Sequence, residues 1–299
     1  MRLDDFDPNA IDVEDQRGSG GFGGGLPLGL GGGRIGCGTL VIALIAAAVF
    51  GVNPLQLLGS GGGVDTAQVG GPLPGQQRSG SSASESCTVD AASRESCNAL
   101  SSLNKTWAPI FRKAGAEFSR PKLVFYSQMG RSGCGAAQSA MGPFYCPGDN
   151  GIYLDTDFYR QMSEQLGATG QFARDYVIAH EYGHHIQNLT GISDEVRQLQ
   201  EQRPDAANQL SVRLELQADC YAGVWAARNR DRLEPGDMES GLNAAHQIGD
   251  DTLMKNAGRN PSPEMFTHGS SAQRMRWLRK GLESGNEDAC DTFADLRGG

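Results

Sequence analysis

An α+β class, mostly helical, follows from three features of the 299-residue sequence. Apolar residues recur at helical spacing just after residue 98, two short strand-like runs follow, and helical spacing then resumes nearly to the end. Glycine is concentrated at the front, with 21 of 42 before residue 81, so that stretch cannot bury a core and reads as tail and linker. Beyond it, about 200 residues suit one domain with a core of its own. The expected divisions are a disordered glycine-rich tail at 1–34, an apolar segment at 35–57, a flexible linker at 58–97 and a folded domain at 98–299.

Within the domain, "ALSSLNKTWAPIFRKAGAEF" sets Leu100, Leu103, Trp107, Ile110 and Phe111 on one helical face, with Pro109 weakening its middle. "PKLVFYS" (121–127) and "GIYLDT" (151–156) are strands. Between them "GCGAAQSAMGPFYCPGDNG" reads as a loop or hairpin, and the sheet is expected to be small and antiparallel. Helices are expected at 156–166, 171–189, 205–230, 237–256 and 270–283.

From Ile35 to Val52 no residue is charged, and with the following "NPLQLL" the run approaches the ~20 residues that cross a bilayer. Glycine-rich flanks argue against a core helix. A cleaved signal peptide is the alternative, but the run starts late and no small-x-small site follows it. Arg2, Arg17 and Arg34 precede the run and the next basic residue is Arg78. The expected topology is therefore single-pass in the cytoplasmic membrane, N-terminus in and domain outside; the acids Asp4, Asp5, Asp7, Asp12, Glu14 and Asp15 count little. Cys37 opens the apolar run and is no lipobox cysteine. The other six, Cys87, Cys97, Cys134, Cys146, Cys220 and Cys290, suit disulfides in an oxidising compartment. Short separations favour Cys87–Cys97 and Cys134–Cys146, leaving Cys220–Cys290; free buried thiols are the alternative. A net charge of −9 argues against nucleic acid as a partner.

The chemistry concentrates in "VIAHEYGHHIQNLTG", which holds three of the five histidines. His180 and His184 share a helical face, while His185 points about a hundred degrees away. Two imidazoles on one face can bind one zinc ion, with Glu181 beside the first ligand, placed to reach a metal-bound water. Position 190 is Thr190, so a third histidine six residues on is absent. The third ligand is then Glu215 in "RLELQADCYAGVW", with Asp219 four residues later to accept a hydrogen bond from His180. Three protein ligands leave one position open, which marks a catalytic rather than a structural zinc, and no C-x-x-C is present to build the structural kind. The implied reaction is amide hydrolysis with Glu181 as general base. Donors for the developing oxyanion are His268 and Arg274, near a helix start that Ser270 or Ser271 could cap. His246 is assigned a structural place.

"HEYGHHIQ", "ELQADCYAGVWA", "FTHGSSAQRMRWLRKGL", "GPFYCPGDNGIYLD" and "AAHQIGDD" together resemble the bacterial putative neutral zinc metallopeptidase family, over most of residues 98 to 285 plus the apolar run and its flanks. The resemblance implies zinc, peptidase chemistry and a compact thermolysin-like core, and lends no defined substrate. In membrane-bound prenyl-protein proteases of the wider group, a threonine-histidine followed by an arginine stabilises the transition state. Thr267, His268 and Arg274 match that arrangement, whereas Gly269 stands where a proline is usual. The expected function is an anchored extracytoplasmic zinc peptidase acting on a peptide or protein. A non-catalytic zinc-binding scaffold and a zinc hydrolase of a non-peptide amide are the alternatives.

Overall fold

The computed structural model describes residues 1–18 and 82–297. Strand β1 (Asp12–Asp15) precedes helices α1 (Ala83–Cys87) and α2 (Ala91–Lys113). Strands β2 (Lys122–Tyr126), β3 (Met129–Ser132), β4 (Gly135–Gln138), β5 (Phe144–Cys146) and β6 (Gly151–Asp155) follow. The rest is helical: α3 (Asp157–Leu166), α4 (Gln171–Leu189), α5 (Ile192–Gln202), α6 (Ala207–Arg228), α7 (Asp237–Gln247), α8 (Asp250–Asn256) and α9 (Ser271–Ser284). The class is α+β with helices dominant.

The main sheet runs β1-β2-β6-β5 and is mixed. β1–β2 and β2–β6 are parallel, and only β5–β6 is antiparallel. The expectation of a small antiparallel sheet is corrected accordingly; a separate hairpin, β3–β4, supplies the other antiparallel pair. β6 is buried at every position, as suits a strand covered on both faces. β5 is an edge strand.

Helix α4 is the hub. Fourteen of its 19 residues are buried, so it is a core helix rather than an amphipathic surface one. Glycines let its neighbours approach closely. A Cβ at Gly223 of α6 would lie 2.2 Å from the Leu278 carbonyl oxygen of α9, and one at Gly281 of α9 would lie 2.0 Å from the Cys220 carbonyl oxygen. The expected helix at 237–256 is instead two, α7 and α8, because a Cβ at Gly249 would sit 2.3 Å from the Ser271 backbone nitrogen and the chain turns there. Helix α2 passes through Pro109 without a break. The six cysteines pair as Cys87–Cys97, Cys134–Cys146 and Cys220–Cys290, with Cα separations of 5.9, 5.8 and 5.5 Å.

Two of the expected divisions need correction. Residues 82–97 are not linker: Ser82 and Glu85 form a capping box that starts α1, Asp90 caps α2, and the Cys87–Cys97 disulfide locks the pair. Residues 1–18 are not a disordered tail either. Met1 and Ile11 are buried in the main core, Asn98 accepts from the Phe6 N–H, and Arg17 reaches Ser93 and the Ser86 carbonyl. Because β1 pairs with β2, residues 12–15 and 122–125 lie on one side of any membrane. The pairing keeps residues 12–15 with the domain; the expected N-terminus-in, domain-out arrangement itself depends on the residues between these two strands. The apolar segment at 35–57 lies outside the described residues. No helix among the described residues is long and apolar enough to cross a membrane.

Candidate metal centre

Helices α4 and α6 cross where Gly183 meets Ala218. A Cβ at Gly183 would come within 2.8 Å of the Ala218 Cα, so glycine inside "HEYGH" permits the crossing. That approach sets the His180–His184 face of α4 against Glu215 of α6. The imidazole centroids are 4.8 Å apart. His180 Nε2 lies 3.1 Å from Glu215 Oε2, and His184 Nε2 lies 3.5 Å from Glu215 Oε1. One ligand atom from each of the three residues falls within 4.8 Å of the others.

The donor set fits a zinc ion because both rings are already keyed from behind. His180 Nδ1 is 2.8 Å from Asp219 Oδ1, and His184 Nδ1 is 2.9 Å from Gln187 Oε1. Each imidazole therefore donates through Nδ1 and turns its Nε2 lone pair toward the common point. Two imidazoles and one carboxylate are a ligand set that leaves a fourth position open. Burial disfavours charge on His180, but the Asp219 and Glu215 carboxylates outweigh it and raise the ring to about 10, so an ion bound at Nε2 would displace a proton to reach the lone pair. Glu215 is held well below its ordinary value: burial opposes ionisation, and His184, His268 and His180 overcome it.

His185 is set apart. It is fully buried, with Nε2 2.8 Å from the Ser119 carbonyl oxygen and Nδ1 3.1 Å from the Tyr145 hydroxyl, and burial pushes it down to about 4. Thr190 bonds back to the Ile186 carbonyl of its own helix.

Glu181 is 8 % exposed and opens onto a cavity of about 780 Å³ that His180, His184, Glu215 and His268 also line. Burial pushes its carboxyl up to about 7; the Glu215 charge adds to this, while His180 and the backbone N–H of Tyr145 on β5 oppose it.

His268 lies across the cavity, ahead of α9. Asp250, the first residue of α8, holds it: Oδ1 is 3.1 Å from His268 Nδ1, and Oδ2 accepts from the backbone N–H groups of Thr267, His268 and Gly269. The ring's Nε2 has no hydrogen-bond partner among the described residues. Gly269, with φ of +93°, lets all three N–H groups converge on one oxygen. Burial opposes charge on His268, and the carboxylates of Glu215 and Asp250 raise its pKa.

Arg274 is tied to the back of the site. It is 2 % exposed, and its guanidinium forks onto Asp219, with Nε 2.9 Å from Oδ2 and Nη2 2.9 Å from Oδ1, while Nη1 reaches the Ile248 carbonyl. The fork positions the carboxylate behind His180, and Arg274 also lines the cavity. Tyr176 also donates to Asp219, at 2.6 Å. His246 does not line the cavity; it sits at the end of α7, where its carbonyl accepts from Ser271.

Sequence reasoning missed Asp250, Gln187 and Tyr176. The "GDD" and "HHIQ" runs contained the first two, but nothing local marks either as a partner of a site histidine.

A helix-borne histidine pair, an intervening glutamate and a second-helix glutamate define the zinc peptidase class of metal centre. The chain belongs to the family described as "Putative neutral zinc metallopeptidase", whose profile matches residues 5–293. It is 44 % identical over 290 residues to "Uncharacterized protein YpfJ" of Escherichia coli (strain K12), covering 94 % of this chain and 95 % of that protein. It is also 41 % identical over 210 residues to "Uncharacterized protein Rv2575" of Mycobacterium tuberculosis (strain ATCC 25618 / H37Rv), covering 65 % of this chain and 69 % of the relative. No solved structure matches.

Proposed function

We propose that this protein hydrolyses peptide bonds with one zinc ion held by His180, His184 and Glu215, and with Glu181 as the general base. The observation that carries the reading is the placement of Glu181. It is a buried carboxyl pushed up to about 7, on the cavity wall and next in sequence to a ring of the donor set. A scaffold that merely bound metal would gain nothing from a carboxyl so placed.

When bound, zinc supplies a water of lowered pKa and polarises the substrate carbonyl. The remaining steps belong to the chain. Glu181 accepts the proton of the attacking water and delivers it to the leaving nitrogen, a role best served by a pKa near the working pH. In its protonated form His268, held by Asp250 through Nδ1–H, donates Nε2–H to the negative charge that develops on the carbonyl oxygen. Asp219, itself fixed by Arg274 and Tyr176, keeps His180 in the Nδ1–H form. Edge strand β5 lines the cavity through Phe144 and Tyr145 and gives an extended peptide a rail to pair with.

The proposed setting is a membrane surface outside the cytoplasm, reached through the apolar run at 35–57. Three disulfides favour an oxidising compartment, and the β1–β2 pairing supports keeping residues 1–18 on the domain's side.

The test is metal analysis with cleavage of an unstructured protein such as casein. One zinc per chain and chelator-sensitive cleavage are expected, with His184→Ala losing most of the metal. A wild-type protein that cleaves nothing, or His184→Ala retaining a full zinc equivalent, would overturn the reading.

A further inference from the structure

The hydrogen bond behind His184 does not end at Gln187. The Gln187 Nε2 group donates to the Leu214 carbonyl at 2.7 Å and to Gln217 Oε1 at 3.0 Å. The Gln217 Nε2 group in turn donates to the Cys290 carbonyl at 3.2 Å. Both glutamines are buried, at 0 % and 2 % exposure. Cys290 is bonded to Cys220 of α6, and the neighbouring Thr292 hydroxyl donates to the Arg213 carbonyl of the same helix.

Donor counting fixes every direction in this chain. Both protons of the Gln187 amide are used by acceptors, so its Oε1 must face His184; the flipped amide would set oxygen against the Leu214 carbonyl. The His184 ring must then carry its proton on Nδ1, which leaves Nε2 as the only ligand atom. Gln217 is fixed in the same way, receiving through Oε1 and donating to Cys290.

We propose that Gln187 and Gln217 are positioning residues that orient His184 and tie it to the disulfide-held segment at Cys290, so that this segment, far from the ligands in sequence, helps set metal affinity. The inference rests on the zinc reading above but not on peptidase activity. His180 is keyed by a carboxylate and His184 by a neutral amide, so the two rings are steadied without a second buried negative charge.

The test is zinc affinity by competition with a chromophoric chelator, read beside thermal unfolding. Gln187→Leu should weaken zinc about 10–100-fold, the usual cost of losing such a partner. Gln217→Leu should cost less, because the Leu214 carbonyl still holds Gln187. Cys220→Ser with Cys290→Ser should also weaken binding while leaving every ligand in place. Gln187→Glu separates orientation from packing. It keeps an acceptor for His184 but turns an oxygen toward two acceptors, so it should bind zinc more tightly than Gln187→Leu and unfold at a lower temperature. Wild-type affinity in Gln187→Leu, or affinities that merely follow the unfolding temperatures, would overturn the proposal. Should Gln187→Leu fail to fold, nitrogen NMR of the zinc-loaded wild type decides: a proton on His184 Nδ1 is expected, and coordination through Nδ1 would contradict it. A wild type that binds no zinc would instead sink the zinc reading itself.

Discussion

Asp219 is fully buried and accepts hydrogen bonds from Tyr176, His180 and both arms of the Arg274 fork. Its ionised form survives burial because Arg274 and His180 hold it below the ordinary carboxylate value. Removing the guanidinium would leave an uncompensated buried charge, a loss of about 3–5 kcal/mol. Arg274→Leu should therefore lower unfolding free energy in denaturant by that amount and weaken zinc as well. A variant of wild-type stability and metal content that had lost only its rate would return Arg274 to the role of oxyanion donor. The histidine pair and Glu181 were legible because i, i+4 spacing is a local property of a helix. Glu215 was reached by elimination, and Asp219 by its place one turn later. The direction in which Arg274 points was not legible, because a residue's spacing from His268 says nothing about which helix its own helix faces. Asp250 was hidden for a related reason: it stands 18 positions before His268, on a helix that the periodicity had merged with its neighbour.

Helices were legible where glycines bracket a helical run, as Gly170 and Gly191 bracket α4, and less so where packing sets the boundary. Expected and observed limits agree for α4, at 171–189. α5 is absent from the expectations: its apolar face is only Ile192, Val196 and Leu199, short enough to pass for a connection between two longer helices. The break between α7 and α8 depends on Ser271 pressing against Gly249, a contact invisible locally. The α6–α9 crossing is the sharpest case. Gly281→Ala would place a methyl 2.0 Å from the Cys220 carbonyl oxygen and 2.8 Å from the Val224 nitrogen, and both are backbone atoms of a buried helix. Overpacking usually costs about 1–3 kcal/mol, and rigid backbone on the opposing side puts this site at or beyond the upper end. Thermal unfolding of Gly281→Ala should show a marked drop; an unchanged transition would mean the helices sit farther apart.

At the scale of the whole molecule, the largest departure from the sequence reading is β1. Its partner strand lies about a hundred residues away, and a four-residue acidic strand within a charged N-terminus carries no alternation that would announce it. Glycine-rich composition was a sound guide to where no core forms, but it blurred the two ends of the stretch, where residues 1–18 and 82–97 join the fold. The structure makes a topological prediction. Epitope tags inserted after Gly18 and after Arg297 should show the same accessibility to protease or antibody in sealed vesicles, whichever side that is. Opposite accessibility would mean that β1 is not paired with β2 in the cell.

If Glu181 is a working general base and not part of a metal-binding scaffold, Glu181→Gln separates catalysis from binding. The substitution replaces a carboxylate by an amide of nearly the same size and touches no ligand. Zinc content and unfolding temperature should stay close to wild type, while the rate of casein cleavage falls by about 10²–10⁴-fold, the usual contribution of general acid–base catalysis. A zinc-loaded, folded Glu181→Gln protein that cleaves at the wild-type rate would contradict the account.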